Sequence, residues 1–79
     1  MDDITRELTD LVATKFKVPP ERVRLESDFI ADFGADSLAL VELVMALEER
    51  LGVRIEDEEA ERVRTFADAV ALAKTKSAA

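Results

Sequence analysis

Ser37 is the residue whose type and position could carry chemistry. It follows Asp36 and precedes Leu38, at the point where a turn around Gly34 gives way to helical spacing. Gly34 permits a tight or positive-φ turn. Asp36 can cap the helix, which puts Ser37 in the first turn. A hydroxyl there is exposed and close to free backbone N–H groups, so a phosphate joined to its oxygen would rest in the positive end of the helix field. The same hydroxyl is a poor nucleophile on its own, because the chain has no histidine and no cysteine to act as base or substitute nucleophile. Those absences also exclude disulfides and thiolate metal sites. A calcium loop fails as well. With Gly34 as loop position six, positions one, three and five would be Phe29, Ala31 and Phe33 and position twelve Leu40, none of them a carboxylate. An autonomous enzyme is therefore not expected, and another protein must supply any chemistry at Ser37. Asp-Ser at a helix start is also what a plain cap looks like, so residue types alone leave cap and attachment site both open.

The elements that must position Ser37 follow from periodicity. Ile4, Leu8, Leu11, Val12 and Phe16 predict an amphipathic helix over 3–16, capped by Asp2 or Asp3 and stopped by Pro19-Pro20. A long connection over 18–35 follows, with a single turn starting near Pro20. Connections this long need anchors or a function, and Val23, Leu25, Phe29, Ile30 and Phe33 are expected to turn inward. The next helix spans 37–51, with Gly52 placed for a left-handed C-terminal cap. A short helix over 57–63 is expected with Asp57 as its cap. Thr65-Phe66-Ala67-Asp68 approximates a capping box and opens a last helix to about Lys74, with Phe66, Ala69, Val70 and Ala73 inward and a frayed tail over 75–79. The expectation is an all-α domain over 1–79: a four-helix bundle of three main helices and one short one, with a long loop between the first two.

The helix over 37–51 has two apolar sides. At 100° per residue, Leu43, Val44, Leu47 and Leu51 fall within about 60° of Leu40 and form a core stripe. Val41, Met45 and Leu38 lie at about 100°, 140° and 160°, with Glu48, Glu49 and Glu42 around them. Burying three glutamates unpaired is costly. The second patch therefore reads as an exposed docking face, an apolar centre with a charged rim. Methionine suits a face that must fit several partners.

Charge points the same way. The chain has 79 residues and a net charge of −7. Residues 1–25 are neutral, residues 26–61 carry twelve acids against two bases, and residues 62–79 carry a net +3. Such an anionic middle should repel nucleic acid and anionic membranes and attract basic protein surfaces. No apolar run of 18 residues predicts a membrane span. The start Met1-Asp2-Asp3 lacks a signal-peptide pattern, and a soluble, cytoplasmic monomer is the default expectation. A chain whose organelle leader had been removed would look the same.

Residues 32–52, DFGADSLALVELVMALEERLG, closely resemble the centre of acyl carrier proteins, most specifically in Asp36-Ser37-Leu38 followed by Val41-Glu42-Leu43-Val44-Met45-Ala46-Leu47-Glu48. The likeness extends to LESDFI at 25–30 and IEDEEAERVRTFADAV at 55–70. The resemblance, to a discrete, type II-like carrier, implies that Ser37, flanked by Asp36 and Leu38, receives 4′-phosphopantetheine from coenzyme A. The catalyst would be a separate magnesium-dependent phosphopantetheinyl transferase. The imported thiol then holds acyl groups as thioesters for fatty acid synthesis.

The resemblance further implies docking of basic patches on ketosynthase, malonyl transferase, ketoreductase, dehydratase, enoyl reductase and acyltransferases. That role would fall on Val41, Glu42, Met45, Glu48, Glu49 and, on the short helix, Asp57. It implies shelter of the acyl chain between helices, with Phe29, Val44, Leu47, Ile55 and Val63 as lining. Ala39 and Leu40 stand where many fatty-acid members carry polar residues, Phe33 replaces a commoner leucine, and Arg50 lowers the acidity at the helix end. These departures leave two further readings open: a carrier for polyketide or other specialised acyl synthesis, and a cofactor-free acidic interaction module.

Overall fold

The computed structural model describes residues 2–77. They form α1 (Asp3–Phe16), α2 (Phe29–Phe33), α3 (Ser37–Leu51), α4 (Asp57–Glu61) and α5 (Phe66–Ser77), with a 3₁₀ turn at Pro20–Arg22. There is no strand among the described residues. The expected small helical bundle is what the chain forms, and α1 and α3 begin and end where periodicity places them.

The Asp2 carboxylate accepts a hydrogen bond from the Thr5 amide at 2.8 Å and caps α1. At the other end Lys17 adopts a left-handed conformation (φ 56°) with its N–H on the Ala13 carbonyl. Pro19 and Pro20 then prevent continuation, and Pro20 opens the 3₁₀ turn, as its fixed φ favours.

The long connection is ordered because it is stitched to the start of α5. The Phe66 amide donates to the Ser27 carbonyl and the Ala67 amide to the Leu25 carbonyl, each at 2.9 Å, while the Phe29 amide donates to the Arg64 carbonyl at 3.1 Å. It also contains α2, which periodicity does not reveal. Asp28 caps this helix through the Ile30 and Ala31 amides, both at 2.9 Å. Phe29 and Phe33, one turn apart, share its inner side. The Phe16 ring stacks on Phe33 at 5.5 Å and on Phe29 at 6.1 Å, tying the end of α1 to α2. Val23 is buried as expected. Leu25 and Ile30 are not: they are 53% and 52% exposed. Ile30 stands about 100° round the helix from Phe29, and a five-residue helix buries only one side. Leu25 is held by its backbone carbonyl and leaves its side chain outside.

The core is continuous. Leu8 and Val12 of α1, Phe29, Leu43 and Leu47 of α3, and Phe66, Ala69 and Ala73 of α5 are almost wholly buried. Leu40 and Leu51 pack against its edges. The inward stripe of α5 is as the sequence predicts. Thr65 and Asp68 cap it reciprocally: the Asp68 amide donates to Thr65 Oγ1 at 3.2 Å and the Thr65 amide to Asp68 Oδ2 at 3.0 Å.

Three helix ends differ from expectation. The cap of α4 is Glu56, not Asp57. Glu56 has an extended backbone and its amide donates to Glu59 Oε1 at 3.0 Å, while Asp57 is already helical. That helix ends at Glu61, two residues early. Helix α5 runs past Lys74 to Ser77, where the Lys76 ammonium lies 2.7 Å from Glu59 and fastens the last turn to α4. The expected fraying of Ala78 and Ala79 falls outside the described residues.

Leu47 is 1% exposed and Met45, two residues earlier, is 58% exposed. Leu47→Ala should therefore cost about 2–5 kcal/mol in denaturant unfolding, by lost burial and a residual cavity. Met45→Ala should change stability by no more than about 0.5 kcal/mol, as exposed positions do.

Candidate functional site

The approach to Ser37 is built by two helix ends in immediate succession. Helix α2 closes on Gly34, left-handed at φ 67°, whose N–H donates to the Ile30 carbonyl at 3.0 Å. The Ala35 amide donates to the Phe29 carbonyl at 2.9 Å, and the Ala35 side chain is buried. The chain then turns outward. Asp36 is extended, its Oδ1 accepts from the Ala39 amide at 2.8 Å, and its carbonyl accepts from the Leu40 amide at 3.1 Å. Ser37 is thereby exposed at the first turn of a fifteen-residue helix. The amides of Ser37 and Leu38 have no partner among the described residues. The residues fit a phosphodiester: a reachable oxygen beside uncommitted donors, at the positive pole of α3. The Asp36 carboxylate opposes a second anion there, and the uncommitted amides offset it.

A cleft of about 470 Å³ begins at Ser37 and runs between α3 and the α4 segment, lined by Leu40, Val41, Val44, Asp57, Ala60, Glu61 and Val63. Of the residues expected to line an acyl pocket, Val44 and Val63 are there. Phe29, Leu47 and Ile55 are not. Phe29 is committed to the three-ring cluster, and Leu47 and Ile55 are core residues. Leu47 stands three residues, about 300°, beyond Val44 and is almost wholly buried in the core. Leu40 and Ala60 take their place in the cleft. Leu40 carries no sequence signal of this, since the angular pattern puts it in the middle of the core stripe and only the structure leaves it partly buried at the cleft. Ala60 carries none either. Among the described residues no cluster of carboxylates is arranged to hold a metal ion.

The second apolar side of α3 is exposed as the angular reading predicts: Leu38 is 65% and Val41 54% exposed, continuous with Met45. Its carboxylates are not equivalent. Glu49 and Asp57 are exposed. Glu42 Oε1 is 2.9 Å from the Lys15 ammonium of α1. Glu48 is half-buried and its Oε2 accepts the Ile55 amide at 2.8 Å, so it also holds the loop leading to α4. Glu61, unremarked in the sequence pattern, lines the cleft and extends the acidic rim along α4, and Glu58 is exposed on the same helix.

Three carboxyls are held below their ordinary range. The Lys76 ammonium does this to Glu59, helped by the Glu56 amide. Lys74 does it to Asp2, and the Thr65 amide to Asp68. A group depressed in the folded state contributes stability above its unfolded pKa and loses it as pH falls through the folded value. Stability should thus hold above the unfolded Glu59 value of 4.5 and decline in more acid solution. Glu59→Gln should lower the Tm modestly in the neutral region and meet the parent curve at the acid end, which makes the Tm-against-pH curve shallower on this limb, measured by calorimetry at low salt.

The match to known proteins covers most of the chain. Residues 6–73 match the family described as "Phosphopantetheine attachment site". The chain is 53% identical over 70 residues to acyl carrier protein 2 of Pseudomonas aeruginosa, covering 89% of each. It is 48% identical over 69 residues to the acyl carrier protein of Wolinella succinogenes, covering 87% of this chain and 91% of that one. The solved structure of the acyl carrier protein from Enterococcus faecalis superposes with a TM-score of 0.81 at 27% identity, over 95% of both chains.

Proposed function

The chain belongs to the acyl carrier protein family, and from that premise we propose that Ser37 is its attachment residue and α3 its docking surface. It is a non-catalytic carrier of acyl groups on covalently attached 4′-phosphopantetheine, and its family works with the enzymes of fatty acid synthesis. When attached, the group supplies a thiol at the end of a flexible arm, on which acyl chains ride as thioesters.

The observation that carries the assignment is the position of Ser37: an exposed hydroxyl at the pole of α3 that also lines an apolar cleft. Asp36 and Leu38 flank it and fix its presentation. The chain's own residues do three things. Asp36 holds the helix start so that the Ser37 oxygen faces solvent. The Ser37 and Leu38 amides favour the phosphate. Leu40, Val44, Ala60 and Val63 offer an apolar wall on which a short acyl chain loses contact with water.

The partners proposed are a magnesium-dependent phosphopantetheinyl transferase, which brings its own base, and then ketosynthase, malonyl transferase, ketoreductase, dehydratase, enoyl reductase and acyltransferases with basic patches. Leu38, Val41 and Met45 form the apolar centre of the face they meet, and Glu42, Glu48, Glu49 and Asp57 form the rim. A carrier domain spanning 1–79 and working in the cytoplasm, where coenzyme A is met, is part of the same proposal.

Incubation with coenzyme A, magnesium and a transferase should raise the intact mass by one phosphopantetheinyl group. Ser37→Ala should abolish the gain with the Tm nearly unchanged, since an exposed first-turn hydroxyl contributes little to stability. An adduct persisting in Ser37→Ala would move the attachment elsewhere. Met45→Ala should slow modification several-fold in kcat/KM while its stability stays near the parent's, because it removes the exposed centre of the patch.

A further inference from the structure

We propose that Lys15 sets the side from which basic partners approach α3, by occupying Glu42 from within the chain. This rests on the reading of α3 as the docking surface and adds a residue of α1 to it. The Lys15 ammonium lies 2.9 Å from Glu42 Oε1, and the Lys15 side chain is only 23% exposed, against 54% for Glu42. The cation is thus held by its own packed stem, in the place a partner's lysine or arginine would take. Asp57 and Glu61 of α4, which line the cleft, have no cation of this chain opposite them among the described residues. The rim is lopsided as a result. On the α1 flank an incoming base must displace an ammonium already in position. On the α4 flank, beside Ser37 and the cleft, it meets uncompensated carboxylates.

Electrostatic steering follows the uncompensated charge. A basic patch is therefore drawn toward the α4 side, which brings the partner over Ser37 rather than over α1. Lys15 is a positioning residue in this scheme, acting through the charge it removes from Glu42. Its neighbour Lys17 carries the same charge, is exposed, and forms no ion pair among the described residues, so it serves as a charge-matched control.

The experiment is kcat/KM for modification of the full chain by a phosphopantetheinyl transferase, at low and at high salt, for Lys15→Gln, Lys17→Gln, Glu42→Gln and the Lys15→Gln/Glu42→Gln pair. Glu42→Gln supplies the background that lacks the carboxylate on which Lys15 acts, and its own rate is the reference for the pair. Lys15→Gln should raise the parent's rate by roughly two- to five-fold at low salt, the range an exposed ion pair commands, and beyond any rise in Lys17→Gln. In the Glu42→Gln background this excess should vanish, and at high salt it should shrink. Lys15→Met, which keeps the apolar stem, should behave as Lys15→Gln does and guards against a folding defect.

Equal rises in Lys15→Gln and Lys17→Gln, or a rise that survives in the Glu42→Gln background, would overturn the proposal. Failure of the underlying reading looks different: Met45→Ala, Glu58→Gln and Glu61→Gln would then all be modified at the parent rate.

Discussion

Helix α3 is held at one rotation about its own axis, and its functional surfaces follow from that angle. Leu43 and Leu47 lie at the centre of the core with almost no exposed surface, and each contributes on the order of 1.5–3 kcal/mol by burial. The ion pairs around the helix contribute at most about 1 kcal/mol each in exposed positions. Core packing therefore wins over charge in setting the rotation. Once it is set, the 100° step does the rest. Leu38, Val41 and Met45 must face solvent, Val44 must stand at the border with α4, and Glu42 must come within reach of α1. A single run of side chains thus serves a core, a cleft and an exposed face.

This angular logic explains which parts of the fold were legible in the residues. Helices α1 and α3 and the inner stripe of α5 are long enough for the 3.6 period to show, and Asp36, Gly52 and Thr65 are strong local punctuation. The exposed patch was legible because three apolar residues stood at the wrong angle for the core. Helix α2 was not, because five residues give barely more than one turn and no period. Leu25 and Ile30 mislead for the same reason: apolar type suggests burial, but backbone bonds to α5 and a one-sided helix decide otherwise.

The cleft was only half legible. Val44 and Val63 could be placed, but separating core from lining at Leu47 and Ile55 requires knowing where α4 is seated. That depends on Glu59 serving Glu56 and Lys76 at once, a long-range choice that leaves no local trace. Glu48 is similar. Its spacing marks it as a rim residue, and only the return of the chain at Ile55 shows that one of its oxygens is already engaged.

Helix α4 is the least anchored wall of the molecule. It has five residues and none of them is buried. Its seat rests on Ala60 packing against the core edge, on the Glu48 bond to the Ile55 amide and on the Lys76 contact with Glu59. Local openings with small free-energy costs are drawn from such segments, and the cleft beside Ser37 is the space that would widen. The opposite wall, α3, is fixed by the deepest side chains in the protein. One wall is stiff and the other compliant, an arrangement that suits cargo of more than one size.

The Asp2 carboxylate meets the Lys74 ammonium at 2.6 Å, so the first turn of α1 and the last turns of α5 lie side by side. Segments joined there would leave the bundle as neighbours, like two leads from one terminal block. The fold is thus suited to being spliced into a longer polypeptide, or repeated in tandem, without unpicking its interior. Joining those ends with a short bridge and opening the chain at an exposed turn such as the one around Pro20 would preserve every packed contact described above.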